Sequence, residues 1–143
     1  MFTFIVEGKP QSKLRPRVVT NKYTGKKHGY TPEKTVKYED LIRWSYKAAG
    51  GQYMGEKLLE VEIKAYYPIP KSTPKKQRLA IEEGGIRPQT KPDCDNIIKG
   101  VLDALNGVAY YDDKQVVCVS CNKYYSQTGR LEITFKELGG ENE

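Results

Sequence analysis

Histidine is all but missing from this chain. The single His28 leaves little room for a serine or cysteine nucleophile that needs an imidazole beside it. Cysteine is scarce as well: Cys94, Cys118 and Cys121 are an odd and thin set in 143 residues, which excludes a disulfide framework and leads us to expect a reducing, cytoplasmic compartment. Cys118 and Cys121 have CxxC spacing, yet they fall in a run that reads as a strand, where residues three apart point to opposite faces. A zinc or thiol site joining them to Cys94 and His28 is therefore the weakest of the rival readings. No stretch of 18 apolar residues occurs. Met1–Glu7 is too short and too acidic for a secretory segment, so no membrane role is expected. The absence of a GxxxxGK[ST] loop sets nucleotide hydrolysis aside. Acid, too, is missing where base is dense. Residues 1–30 hold Lys9, Lys13, Arg15, Arg17, Lys22, Lys26 and Lys27 against Glu7 alone.

What is present fits one α/β (α+β) domain. Lys and Arg total 24 against 18 Asp and Glu, a net charge of +6 that suits an anionic partner. The mean hydropathy of −0.69 leaves a modest core. Phe2, Phe4 and Val6 alternate with Thr3, Ile5 and Glu7 as a strand ended by Gly8 and Pro10, and a basic extended loop follows through Arg17. Thr31-Pro32 predicts a helix start, with apolar spacing through Val36, Leu41, Ile42, Trp44 and Ala48 before Gly50-Gly51; Trp44 is expected in the core. Leu58–Tyr67 alternates as a second strand, Thr73-Pro74 opens a short basic helix, and a third helix is capped at Asp95 or its neighbour and runs to Leu105. Gln115–Tyr125 and Arg130–Leu138 read as strands joined in a hairpin by Ser126-Gln127-Thr128-Gly129. Together these predict a mixed β-sheet of about four strands with helices packed against it. The domain is expected over 1–138, with a frayed tail over 139–143.

The chemistry concentrates after residue 90. Ile97, Ile98, Val101, Leu102 and Leu105 share one helical face, and Asp95, Lys99, Asp103 and Asn106 share the other. Asp93 and Asp95 are two apart, so in an extended lead-in their carboxylates project from one side and repel unless a hard cation sits between them. Magnesium, or manganese in its place, is the ion such oxygen ligands favour. Lys99 lies one turn beyond Asp95, where an ammonium can stay beside a phosphate. A third carboxylate is expected from Asp112-Asp113, on a chain that has had space to reverse toward the helix start. The plainer uses of the same residues are a helix cap worth roughly 1 kcal/mol at Asp95 with Asp93 as a second dipole-compensating acid, an exposed Lys99–Asp103 pair, and turn residues at 112–113.

The string Lys91-Pro92-Asp93-Cys94-Asp95-Asn96-Ile97-Ile98-Lys99, then Asp103-Ala104-Leu105-Asn106-Gly107 and Asp112-Asp113-Lys114-Gln115, resembles the signature of the RusA family of Holliday junction resolvases. Gly8-Lys9-Pro10 and Lys13-Leu14-Arg15-Pro16-Arg17 extend the likeness. Cys94 departs from it, standing where members usually carry an aliphatic residue. The resemblance implies a magnesium-dependent, structure-selective endodeoxyribonuclease, encoded by a bacterium or bacteriophage, that acts as a homodimer on four-way DNA junctions in recombination and repair. It implies catalytic and metal-holding roles for Asp93, Asp95 and Asp113 and a catalytic role for Lys99; Asp103 matches a recurrent acid that either holds the metal or stands behind its ligands, and because the stretch from Asp103 to Asp112 is about one residue shorter than in the family, Asp112 stands as the alternative to Asp113. On this reading Lys13, Arg15, Arg17, Lys71, Lys75 and Lys76 track phosphates, and Tyr23, Tyr30, Tyr110 and Tyr111 are open to stacking on unpaired bases, although most tyrosines are expected to pack in the protein. The rival from another class is a branched-DNA-binding protein on the same fold that does no cutting.

Overall fold

The alternation of Phe4 and Val6 with polar neighbours puts one face of β1 (Phe2–Glu7) into the core. The computed structural model describes residues 1–139, with the side chain of Arg17 outside that description. The expected tail therefore lies outside the described residues but for Gly139. Four strands form one mixed sheet in the order β1, β6 (Arg130–Glu137), β4 (Leu59–Pro68), β5 (Val116–Ser126). β6 runs antiparallel to both β1 and β4, whereas β4 and β5 are parallel. A parallel pair needs a crossover, and residues 69–115 supply it with α2 (Lys75–Glu82) and α3 (Cys94–Leu105).

The expected hairpin between the last two strands is corrected by this order. β4 lies between β5 and β6, and residues 127–129 pass over its end, where Ile69 N donates to Ser126 O at 3.1 Å. The three residues 127–129 reach across one intervening strand, roughly 10 Å, so the turn signals at 126–129 fit either pairing.

α1 (Glu33–Ala48) and α3 cover one sheet face. Tyr38, Ile42 and Tyr46 of α1 and Ile97, Val101, Ala104 and Leu105 of α3 pack on Phe4, Leu59, Val61, Ile63, Leu131 and Phe135. Trp44 is not in this core; it is 67% exposed, as Val36 is partly, because the buried stripe of α1 follows Thr35, Tyr38, Ile42, Ser45 and Tyr46. That stripe keeps the three- and four-residue spacing that Trp44 breaks. Thr31 does not cap the helix either: Pro32 holds the N-cap position. On the opposite sheet face a row crosses three strands, with Arg130 over Tyr66 at 4.0 Å and Tyr66 stacked on Tyr124 at 5.5 Å. A second antiparallel pair, β2 (Arg17–Thr20) and β3 (Lys27–Tyr30), lies apart from the sheet and interrupts the stretch between the basic loop and α1. Among the described residues no helix is long and apolar enough to cross a membrane.

Candidate active site

The cap of α3 falls at Asp93, two residues before Asp95, and this changes the site. Asp93 is the N-cap: its Oδ1 accepts from Asn96 N at 3.2 Å, while Asp95 stands inside the first turn. The two carboxylates are thus not neighbours on an extended lead-in; they crowd the N-terminal turn of a helix, and both residues are exposed. The buried stripe Ile97, Val101, Ala104 and Leu105 fixes the roll of α3 and leaves Asp95, Lys99 and Asp103 outward.

Three contacts hold the approach to Asp93. Tyr67 donates its hydroxyl to Pro92 O at 2.7 Å, Lys123 Nζ donates to Thr90 O at 2.6 Å, and Arg87 Nε donates to Lys123 O at 2.8 Å while its guanidinium lies over Tyr124. Burial pushes the Tyr67 phenol well above the usual tyrosine range, so it stays a donor to the Pro92 carbonyl. Behind Cys94, its Sγ–H meets Cys121 O at 3.5 Å. Burial, followed by the Cys94 contact, pushes the Cys121 thiol up to about 12. Cys118 faces away beside Glu60, as strand geometry requires of a residue three positions off, and all three cysteines are free.

The basic loop is a strap across the other side of the helix start. Asn96 clamps it with both ends of its amide: Lys13 N donates to Oδ1 at 2.7 Å and Nδ2 donates to Lys13 O at 2.9 Å. Leu14 N donates to Thr35 Oγ1 at 2.9 Å. Ser12 to Arg15, Lys91 to Asp93 and Asn96 then line a cleft of about 340 Å³, so Asp93 opens onto a space shared with Arg15 and Lys91. Lys13 itself is turned inward, its ammonium 2.9 Å from Glu39 and 3.0 Å from Asp103 with only 19% of the side chain exposed. Burial alone would lower its pKa; hydrogen bonds to Glu39 and Asp103 outweigh that and raise it. Lys13, expected among the phosphate-tracking cations, is thus already paired with two carboxylates. Lys99 pairs with Asp103 at 3.3 Å but is 68% exposed and free to swing to a ligand.

Asp113 is not brought to Asp93 and Asp95 within one chain. Residues 106–112 fold back onto the C-terminal end of α3, where Asn106 Nδ2 donates to Asp112 Oδ1 at 3.4 Å and the Tyr110 hydroxyl donates to Leu102 O. Asp113 leads the charges that raise the Tyr110 phenol beyond what burial does. Twelve residues of helix rise about 18 Å, so the acids sit at the two ends of α3. Among the described residues no group of three or more His, Cys, Asp or Glu side chains could hold a metal ion. Tyr110 is fully buried and not open to stacking, whereas Tyr23, Tyr30 and Tyr111 are exposed. Lys71, Lys75 and Lys76 are exposed around the start of α2 and form no ion pair among the described residues; Arg78 staples that turn through Thr73 O, Pro70 O and Lys71 O. Asn96, Thr35, Glu39 and Tyr67 were given no role from sequence. Asn96 alone carried a signal, being three residues after a capping aspartate inside the motif.

Hard oxygen donors at a helix start suit a magnesium-sized ion, which keeps several waters and takes one or two carboxylates together with substrate phosphate oxygens. Asp93 and Asp95 meet that description.

Two comparisons bear on this site. A family model described as "Endodeoxyribonuclease RusA" matches residues 7–136. A Bacillus subtilis (strain 168) protein named "Uncharacterized protein YqaN" is 36% identical over 141 residues, 94% of this chain and 95% of that one.

Proposed function

The chain belongs to the RusA endodeoxyribonuclease family, and from that premise we propose that it is a divalent-metal-dependent nuclease that resolves four-way DNA junctions as a homodimer. The observation that carries this reading is the exposed pair Asp93 and Asp95 on the first turn of α3, opening onto a cleft that also holds Arg15 and Lys91. Asp93 and Asp95 would hold magnesium, or manganese in its place. Because this chain's own Asp113 is at the far end of α3, the partner subunit's Asp113 would complete the set. When bound, the ion supplies Lewis-acid stabilisation of the phosphate and acidifies a water.

The chain's own residues do the rest. Arg15 and Lys91 hold the DNA backbone in the cleft, and Lys99 swings from Asp103 to neutralise charge gathering on the phosphoryl oxygens. Cleavage with departure of the 3′-oxygen leaves a 5′-phosphate. Asp103 orients Lys99 and anchors Lys13; Asp112 stays in a capping box with Gln115. Arg17, Lys71, Lys75 and Lys76 add phosphate contacts, while Lys13 serves by locking the strap. Two sites related by a two-fold axis match the near two-fold symmetry of a junction and allow paired nicks in recombination and repair.

Asp93→Asn tests this directly. Asparagine caps helices as well as aspartate does, so the fold is kept while one carboxylate charge is lost. A synthetic four-way junction should still be bound in calcium but cut at least about 100-fold more slowly in magnesium. Cutting at the wild-type rate would remove Asp93 from the chemistry, and a wild-type chain that binds junctions without ever nicking them would leave a binding protein on the same fold.

A further inference from the structure

The β2–β3 hairpin has no place in the core or in the site. Every residue from Val18 to Thr31 is exposed, and each strand packs principally on the other. A two-stranded hairpin without a packed face is marginal in water, and this one bares Val18 and Tyr30 as well. Its tip is nevertheless built with care. Asn21 Oδ1 accepts from Tyr23 N at 2.8 Å and from Thr24 N at 3.3 Å, Gly25 N donates to Asn21 O at 2.9 Å, and Gly25 takes a φ of +70° that favours glycine. The turn presents Tyr23 at its apex, 96% exposed, with Lys22, Lys26 and Lys27 around it.

Charge identifies what such a finger meets. Residues 8–32 hold seven Lys and Arg and no Asp or Glu. The hairpin leaves the body at Pro16, next to Arg15 in the Asp93 cleft, and the four residues of β2 rise about 13 Å before the turn that carries Tyr23, so the tip stands within reach of a duplex lying across that cleft. We propose that β2–β3 is a DNA-engaging arm, a role that presupposes the nuclease reading above: its lysines grip phosphates beside the cut strand, and Tyr23 stacks on a base unstacked at the branch point. A duplex arm offers the lysines the same phosphates but gives Tyr23 no free base face, so the tip would separate branched from unbranched DNA.

The test uses the full chain and a synthetic four-way junction carrying 2-aminopurine beside the branch, with a plain duplex of the same sequence as reference. Binding is read in calcium and cutting in magnesium. Tyr23→Ala should weaken junction binding about 5- to 150-fold, leave duplex binding and the salt slope unchanged, and abolish the 2-aminopurine signal. Tyr23→Phe should restore both. Replacing Lys22, Lys26 and Lys27 by Ala should lower the salt slope by about 2 to 3 on either DNA. These exposed changes leave the core intact, which the thermal midpoint checks. If the wild-type chain cuts junctions and all these variants bind and cut as it does, the arm is overturned and the nuclease reading stands. If the variants instead lose the dimer by light scattering with DNA affinity per dimer unchanged, the hairpin faces a second copy and the arm is again overturned. If the wild-type chain neither binds nor cuts a junction, both readings fall.

Discussion

Mixing two inactive variants of this chain should restore cutting. α3 separates Asp93 and Asp95 from Asp112 and Asp113 by a rise of about 18 Å, whereas ligands of one magnesium-sized ion stand about 2 Å from it. No side-chain rotation closes such a gap, since an aspartate carboxylate reaches only a few ångströms from its backbone. If the partner's Asp113 supplies the third carboxylate, a heterodimer of Asp93→Asn with Asp113→Asn concentrates both lesions in one site and leaves the other whole. Equal mixing with random pairing makes about half of the dimers mixed, each with one whole site, so about a quarter of wild-type sites survive. The assay should count single nicks in a nicked-circle or labelled-junction format, because paired resolution needs both sites of one dimer. Each variant alone, and each mixed with itself, should stay at background. Background activity from the mixture, with mixed dimers demonstrated by differently tagged chains, would refute assembly across two chains and require α3 or the 106–115 segment to rearrange within one.

Lys13→Met should act on stability more than on DNA affinity. Two ion pairs of low exposure lie between the worth of surface and buried pairs, at about 2 kcal/mol, and a 143-residue domain melts about 3 °C lower per kcal/mol, so a fall of roughly 6 °C with an unchanged salt slope is expected by circular dichroism and DNA titration. A salt slope lower by about 1 at an unchanged melting point would instead make Lys13 a phosphate contact. The pH dependence has a definite sign. Lys13, Tyr38, Tyr67 and Tyr110 all have folded pKa values raised above the unfolded ones, Tyr38 to about 12 through burial, so their stabilisation is full below about pH 10 and is lost as pH rises through the folded values. Tyr38, Tyr67 and Tyr110 should add to the tyrosinate absorbance only as the chain unfolds; their ionisation while the circular dichroism is still native would contradict their burial.

The mixed sheet was legible because period-two alternation over β1, β4 and β6 names the buried side of each strand without reference to partners. Strand order was not. The link at 126–129 has hairpin chemistry, and only the pairing of β4 on both edges shows that the chain crosses the end of β4 between β5 and β6. The β2–β3 pair escaped notice for a related reason: His28-Gly29 and the surrounding lysines lack apolar alternation, since this hairpin buries nothing. Trp44 lies near the apolar spacing of α1, yet α1 turns the small polar side chains of Thr35 and Ser45 inward with Tyr38, Ile42 and Tyr46 and leaves the indole exposed. Within the site, the motif pointed to the first turn of α3 and to Lys99. The direction of the seven residues after α3 is not legible in the sequence: their length allows a return to the helix start, but Val108 N and Ala109 N donate to Leu105 O at 3.0 and 2.9 Å and tie the loop to the helix end.

The basic N-terminal segment shows why a charge count cannot be read as a contact list. Its cations look alike in sequence, yet the fold divides them. Lys13 is drawn inward because Glu39 and Asp103, on two different helices, converge beneath the strap, and without a cation there the two carboxylates would repel across the α1–α3 seam. Arg15, two residues on, lines the Asp93 cleft and is exposed, and it forms no ion pair among the described residues. Lys22, Lys26 and Lys27 are carried away from the body altogether. One half-buried cation thus holds the strap in place while Lys9 and Arg15 stay exposed, and the same Asp103 that anchors Lys13 also restrains Lys99. Loosening the strap should therefore be felt at Lys99 through Asp103.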